Sequence, residues 1–276
     1  MKILVPTDFS TCADDAFQKA LEIAKATSGH IFLYHCAAIP DGWENLPVEV
    51  KYKDKLNKYL ALAAKDQLVD RRNIAENQGI PCDILYSGGK FLKEIKQQVD
   101  KADYDLIVMG SHGASGKEEW FIGSNTQKVI RGLHHSILVV KNEQYPGTFK
   151  KVVFATGLNN EDQEPFQRFL TFMDHFEEAE IHLLAVNISS IFQLPDMLNE
   201  EAMKIFVDLA VNREIKTHLY PDYSVESGVR HFSREHKVDL IAISNHNRHP
   251  IKRIFQGSNV EMIANHSDIP VLSIDY

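Results

Sequence analysis

Hydrophobic and polar positions along the chain follow two alternating patterns. Short apolar runs rich in β-branched residues, such as Leu106–Met109, predict buried parallel strands. Longer segments with apolar residues on one face predict amphipathic helices between them. In the first half, strands are predicted at 2–7, 30–36, 82–86, 105–110 and 136–141, and helices at 11–28, 46–78, 90–101 and 124–133. This alternation favours a doubly wound α/β fold with a parallel sheet and right-handed crossovers.

The same pattern occurs twice. Leu106–Gly110 resembles Leu240–Ser244, and Gly123–Asn125 resembles Gly257–Asn259, both at a separation of 134 residues. The first strand, by contrast, matches its counterpart at a separation of 149 residues. The second copy is therefore about fifteen residues shorter between its first and fourth strands, and we expect the loss after the second strand.

Turn-forming residues at 145–147 indicate a boundary between the copies. We therefore predict two domains, residues 1–146 and 147–276. Each is expected to form a five-stranded parallel sheet with the strand order 3-2-1-4-5. In that order strands one and four are neighbours, and ligands bind beyond the carboxyl ends of the strands at the point where the order reverses. Asp8 and Gly110 end those two strands, so both should border one crevice.

Composition limits the classes of function. The chain has 276 residues, a formal net charge of −8 and a pI near 5.9. This charge argues against general binding to nucleic acid or to a membrane surface, because no basic field is available to hold phosphates. The three cysteines show no metal-ligand spacing and are expected to be reduced. With no apolar run of membrane-spanning length and a strand directly after Met1, we expect a cytoplasmic protein without a signal peptide.

A glycine pattern connects the fourth strand to the following helix. Gly110, Gly113 and Gly123 are followed by Ser124, which is predicted to be the N-cap of that helix. Glycine permits close approach of a ligand to the backbone and a positive φ, and a helix N-terminus attracts phosphate. The spacing is not that of a Walker A loop, because no Lys-Ser/Thr pair follows Gly113, and it is too wide for a Rossmann fingerprint.

The pattern G-x2-G-x9-G-S resembles the ATP-binding motif of the universal stress protein family. The chain start at Lys2–Ser10 and the strand Ile137–Lys141 are also similar to that family. The resemblance implies an adenine nucleotide alpha hydrolase-like fold and ATP as the ligand, with any Mg²⁺ arriving on the triphosphate. It also implies pairing of the last strand of each domain in an internal pseudo-dimer, and it leaves homodimerisation open. The implied contacts are Pro6, Thr7 and Asp8 and the backbone of Cys36 on the adenine side, and Met109, Gly110, Gly113, Gly123 and Ser124 for ribose and phosphates, while Asn125 adds a helix N-terminal amide.

Individual residues allow other interpretations. Asp8 is either a turn or helix-capping carboxylate or a hydrogen-bond partner of adenine or ribose. His35 and His112 are interpreted as structural. No nucleophile–base pair and no metal-ligand set is evident, so we predict no catalytic residues and no protein metal site. Three functions follow: a nucleotide-binding stress-response protein, a slow ATPase or other adenine-nucleotide enzyme, and a structural module with vestigial sites.

The second copy departs from the motif. Ser244 replaces Gly110, Asn247 replaces Gly113 and Gly157 replaces Asp8, whereas Gly257 and Ser258 are retained. Side chains at 244 and 247 would occupy space where the backbone must approach a ligand. We therefore expect the second copy to bind ATP far more weakly than the first, or not at all.

Overall fold

A computed structural model describes residues 1–37, 53–112, 122–141, 148–188, 196–211, 213–245 and 259–275. The described residues divide into two compact units. The first unit holds residues 1–112 and 123–133, and the second holds Ile122 and residues 134–275.

The first unit is an α/β structure with a parallel sheet. Its strands follow the order β3-β2-β1-β4. The strands are β1 (Lys2–Pro6), β2 (His30–Ala37), β3 (Cys82–Gly88) and β4 (Leu106–Gly110), and the helices are α1 (Thr11–Thr27), α2 (Lys53–Asn77), α3 (Phe91–Lys101) and α4 (Ser124–Gly132).

The second unit repeats this plan and, among the described residues, contains six strands against the four of the first unit. Its strands are β5 (Ile137–Val140), β6 (Lys151–Thr156), β7 (Glu180–Ile188), β8 (Ile215–Asp222), β9 (Leu240–Ser244) and β10 (Val271–Ile274), and its helices are α5 (Gln163–Met173), α6 (Asp196–Leu209), α7 (Val225–His236) and α8 (Asn259–His266), with a short 3-10 helix at Asn160–Asp162. From β6 to β10 the strands run parallel in the order β8-β7-β6-β9-β10, which is the predicted 3-2-1-4-5. The predicted α/β fold class is therefore confirmed.

Strand β5 belongs to the second unit and pairs antiparallel with β10. Leu138 lies opposite Leu272, and all four residues of each strand are buried. These are the two terminal strands that the sequence analysis predicts to pair. Pairing satisfies backbone groups that an apolar edge strand would otherwise expose.

The shortening of the second repeat falls largely in one crossover. Helix α2 has 25 residues and α6, at the equivalent place, has 14. Both follow the second strand of their repeat, as predicted. The first residues of the predicted helix 46–78, up to residue 52, lie outside the described residues.

The helix after the first strand buries partly different side chains in the two cores. In the first unit, Ala16 and Ala20 of α1 are fully buried. In the second, Phe169 of α5 stands at the position of Ala20, whereas Phe166 corresponds to the buried Phe17. The rings of Phe166 and Phe169 pack on Phe154 of β6, at centroid distances of 5.0 and 5.3 Å. The second unit therefore buries an aromatic ring where the first buries a methyl group, which adds apolar area to its core.

Candidate functional site

The carboxyl ends of three strands of the first unit share one edge of the sheet. Pro6, the last residue of β1, pairs with Tyr34 of β2, and the Thr7 backbone N–H donates to the Tyr34 carbonyl at 2.8 Å. On the other side of β1, Leu4 pairs with Ile107 of β4. The register therefore brings the strand ends that carry Pro6, Cys36 and Gly110 to the same edge, which is where the strand order reverses.

Two helices begin beside the end of β4. Helix α1 starts after Ser10, whose hydroxyl accepts from the Ala13 N–H, and its first turn contacts Gly110. The start of α4 is tied to the same strand end, because the Thr126 hydroxyl donates to the Gly110 carbonyl at 2.8 Å. A helix N-terminus carries a partial positive charge. Two of them at one strand end create an electrostatic environment that favours a bound anion.

Gly110 is required by the packing of the protein itself. A β-carbon at this position would lie 2.6 Å from the Cys12 carbonyl oxygen and 3.0 Å from the Ala13 nitrogen, both backbone atoms of α1. The sequence analysis attributed this glycine to the approach of a ligand. The structure supplies a second reason, the approach of β4 to α1, which holds whether or not a ligand binds.

The cap of α4 differs from the prediction. Gly123 is the N-cap, without a side-chain hydrogen bond, and Ser124 is the first helical residue, so the prediction that Ser124 caps the helix is wrong. Gly123 has φ −58°, so the positive φ that the glycine pattern suggested is not found there. The Gly123 N–H instead donates to the Ser111 carbonyl at 2.6 Å, which anchors the helix start to the residue after β4.

The other predicted contacts differ in exposure. Thr7 and Met109 are 7% and 5% exposed, Cys36 is half-buried, and Asp8, Ser124 and Asn125 are exposed. Gly113 lies outside the described residues. At the buried positions backbone atoms can contact a ligand, and at the exposed positions side chains can do so.

Asp8 has a structural role that corresponds to the first interpretation of this residue. Its Oδ1 accepts from the Ser10 N–H at 3.1 Å and from the Ser10 hydroxyl at 2.6 Å. This turn positions Ser10 as the cap of α1. The carboxylate is exposed at the crevice, so the geometry is also compatible with the second interpretation, contact with a ligand.

An aromatic layer beside β1 and β2 was missed by the sequence analysis. The Phe9 ring stacks on His35 at 4.6 Å between centroids, and the Arg71 guanidinium lies 5.0 Å from the centre of the Phe9 ring. Arg71 also donates to Asp14 of α1 through Nε, at 2.8 Å. These residues come from four separate segments, so no local pattern could have predicted the layer.

The backbone at Phe9 adopts φ 64°, and the equivalent Leu158 of the second unit adopts φ 55°. In both turns the residue's N–H donates to a threonine hydroxyl two positions earlier, Thr7 at 3.0 Å and Thr156 at 2.9 Å. Because the same turn occurs in both repeats, its strain belongs to the fold and is not evidence for a ligand.

The equivalent edge of the second unit is organised differently. Ser244 ends β9 where Gly110 ends β4, and Gly157 follows β6 where Asp8 follows Pro6 and Thr7. The Asp162 carboxylate, 1% exposed, lies between them and accepts hydrogen bonds from both. The sequence analysis did not identify Asp162, because nothing near it in sequence marks a buried carboxylate.

A histidine cluster lies on β7, β8 and α7 of the second unit. His182, 2% exposed, is bonded through Nδ1 to His218 Nε2 at 2.8 Å and through Nε2 to Glu180 Oε1 at 2.6 Å. The ring of His236 lies 5.3 Å from that of His218. Burial lowers the pKa of His218 to about 4, with His182 and His236 adding to the effect, and burial also lowers the pKa of His182. Both rings are therefore neutral at pH 7, which allows one N–H to be shared between them.

This pKa shift predicts a loss of stability in acid. Because the unfolded chain takes up these protons near pH 6.5, the second unit should be most stable above pH 6.5 and lose up to about 3 kcal/mol as the pH falls to about 4. We expect His218→Phe to reduce this dependence. Amide hydrogen exchange of β7 and β8 at pH 7 and 4.5 measures it, with the exposed His175→Ala as control. Equal pH dependence in wild type and His218→Phe would contradict the prediction.

Both repeats match one known protein family. The sequence model of the universal stress protein family matches residues 1–141 and 148–274. A universal stress protein of Methanocaldococcus jannaschii is 29% identical over 140 residues, which cover 51% of this chain and 81% of the relative. One of Synechocystis is 24% identical over 152 residues, covering 51% and 97%.

Among solved structures, a universal stress protein from Archaeoglobus fulgidus aligns with a TM-score of 0.75 at 16% identity, covering 99% of this chain and 98% of the other. A putative universal stress protein from Pseudomonas aeruginosa aligns with a TM-score of 0.70 at 15% identity, covering 99% and 92%. These likenesses bear on the fold alone.

The two repeats, each with its strand ends at one edge of the sheet, define a tandem doubly wound α/β protein. The chain belongs to the universal stress protein family, with two Usp domains in tandem.

The described residues contain neither a candidate membrane span nor a candidate metal-binding cluster. Among their helices, none combines the length and the apolarity that a membrane span requires. Within the same ranges, no group of three or more His, Cys, Asp or Glu side chains is arranged to hold a metal ion.

Proposed function

We propose that the first unit binds ATP and that nucleotide occupancy controls a stress-response or signalling role of the protein in the cytoplasm. The observation that carries this proposal is the meeting of two helix N-termini, those of α1 and α4, at the end of β4. Such a site favours phosphate. The resemblance of Gly110–Ser124 to the family's ATP motif supports the same ligand.

The proposed orientation of the nucleotide places its base at the ends of β1 and β2 and its phosphates between the end of β4 and the start of α4. The adenine lies near Asp8 and Cys36, where the Phe9 and His35 rings add aromatic surface. The ribose lies near Met109, and the phosphates lie over Gly110, Gly113, Gly123, Ser124 and Asn125. Because the N-cap is a glycine, no capping side chain covers the first N–H groups of α4, and the exposed Ser124 hydroxyl lies at the same helix start. ATP with or without Mg²⁺ fits this scheme, since the metal ion would be held by the phosphates.

An enzymatic role is the competing proposal. A slow ATPase or another adenine-nucleotide enzyme would need a group that activates water or another nucleophile. Steady-state release of phosphate from ATP by the purified protein distinguishes the two, with a nucleotide-site variant as control. Absence of both bound nucleotide and titratable binding would favour the third function, a structural module.

We also propose that residues 1–146 and 147–276 are the functional domains and that they form an internal pseudo-dimer. The antiparallel pairing of β5 with β10 supports the pseudo-dimer, because each repeat contributes its last strand. Whether two chains associate further remains a separate proposal, which the sequence analysis left open.

The proposal predicts one nucleotide per chain. Isothermal titration of the full chain with ATP should give a stoichiometry near one, because the second unit lacks the counterparts of Gly110 and Asp8. As a control in the site, Ser124→Ala should lower affinity only mildly, by about 1 kcal/mol for one hydroxyl contact. A stoichiometry of two would contradict the prediction for the second unit, and no binding at all would contradict the proposed function.

A further inference from the structure

The second unit holds a buried carboxylate at the strand edge that corresponds to the proposed nucleotide site of the first. Asp162 Oδ2 accepts from the Thr156 hydroxyl and from the Gly157 backbone N–H, both at 2.8 Å. Its Oδ1 accepts from the Ser244 hydroxyl. The donors come from the ends of β6 and β9, so one carboxylate connects the two strands at the point where the strand order reverses. A buried carboxylate is tolerated only when donors satisfy it, and here three do.

The first unit shows what this arrangement replaces. At the 149-residue separation Asp162 corresponds to Ala13, and at the 134-residue separation Ser244 corresponds to Gly110. In the first unit these two small residues place the helix start directly against the strand end, with no room for a β-carbon on Gly110. In the second unit both positions carry polar side chains that bond to each other. The two substitutions, Asp162 for Ala13 and Ser244 for Gly110, are therefore coupled. Replacing only one of them would leave the other side chain without this hydrogen-bond partner.

The backbone donor next to β6 is occupied as well. Gly157 stands at the position of Asp8, where we propose that the first unit meets the adenine and ribose. Its N–H is bonded to Asp162. A nucleotide at this edge would have to displace the carboxylate and would bring its phosphates towards a negative charge in a poorly solvated place.

We propose that Asp162 is a built-in occupant of the second unit's strand-edge crevice, fixing that unit in one conformation and excluding nucleotides from it. The second repeat is then a site filled by its own chain and not a vestigial one. The exclusion of nucleotides rests on the site proposed for the first unit, whereas the filling of this edge by Asp162 rests on its own three hydrogen bonds. It predicts that removing the carboxylate leaves a pocket with three donors that accepts a small carboxylate ion.

Formate is the probe for that pocket. We expect Asp162→Ala to lower the melting temperature of the full chain by about 5 °C, since hydrogen bonds to a buried charge are lost. Sodium formate at about 0.2 M should restore roughly half of this loss, beyond the effect of sodium chloride at the same concentration. Wild type and Asp162→Asn, in which the space stays filled, should show no difference between the two salts.

Ser244→Gly provides a second test, because it restores the residue of the first unit. We expect it to lower the melting temperature, since it removes a donor from the carboxylate without removing the charge. The proposal is overturned if Ser244→Gly is neutral or stabilising, if Asp162→Ala melts like wild type, or if formate acts no differently from chloride. Should Asp162→Ala fail to fold, Ser244→Gly alone decides. All these measurements are made without nucleotide, so failure of ATP binding by the first unit would leave them unaffected.

Discussion

Gly110→Ala is expected to destabilise the first unit by about 3 kcal/mol. The added β-carbon would lie 2.6 Å from the Cys12 carbonyl oxygen, a backbone atom that cannot rotate away, so α1 or β4 must shift. Forced overpacking of this kind typically costs about 1–3 kcal/mol, and a buried strand end between two anchored helices belongs at the upper end. Amide hydrogen exchange of β1 and β4 measures the loss in the first unit specifically.

Gly132→Ala is the matched control for this substitution. Gly132 ends α4, and a β-carbon there would meet only the Leu92 side chain, at 3.3 Å, which can move. We expect a change within about 1 kcal/mol, of either sign. If Gly110→Ala were as stable as wild type, the packing of β4 on α1 would be looser than described. The comparison also has a practical consequence: lost ATP binding in a Gly110 variant would not by itself identify a ligand contact.

Asp8→Ala and Gly113→Val should have different effects on ATP and adenosine. Under the proposed orientation Asp8 acts on the base and sugar, so its removal should weaken both ligands by a similar factor, about tenfold. Gly113 acts at the phosphates, where a bulky side chain would occupy the phosphate space. Gly113→Val should therefore weaken ATP by about 100-fold and adenosine by less than about threefold.

Titration calorimetry of both ligands against both variants measures this contrast. Thermal melting of each variant is the control for folding, because the turn that Asp8 forms with Ser10 also supports α1. Equal losses for both ligands in both variants would mean that the nucleotide is placed in the wrong orientation or at the wrong edge.

The sequence predicted the fold because its signals are local and repeated. Runs such as Leu106–Met109 and their counterparts 134 residues later are typical of parallel strands buried between helices. The family resemblance rested on residues close together in the chain, and the matches to both repeats confirmed it. The pairing of the last strands was implied by the family resemblance, and the structure shows β5 paired with β10.

The local details of the site were predicted less well. Ser124 has the residue type of an N-cap, but the N-cap is Gly123, which has no capping side chain. The helix start is anchored by the hydrogen bond from the Gly123 N–H to the Ser111 carbonyl, a contact between separate segments that the capping preference of serine does not predict. The residues proposed to contact ATP remain a prediction, and the structure describes all of them except Gly113.

The sequence by itself determined that this protein consists of two doubly wound α/β repeats and that only the first keeps the complete glycine motif. Hydrophobic periodicity and residue identity suffice for this, because both are properties of short segments. Only the tertiary structure shows why Gly110 tolerates no side chain and which residue fills the strand-edge crevice of the second unit. Gly110 meets Cys12, and Ser244 meets Asp162, across 98 and 82 residues of chain. Such contacts depend on how helix starts lie against strand ends, and that distance of approach is set by packing rather than by any local pattern.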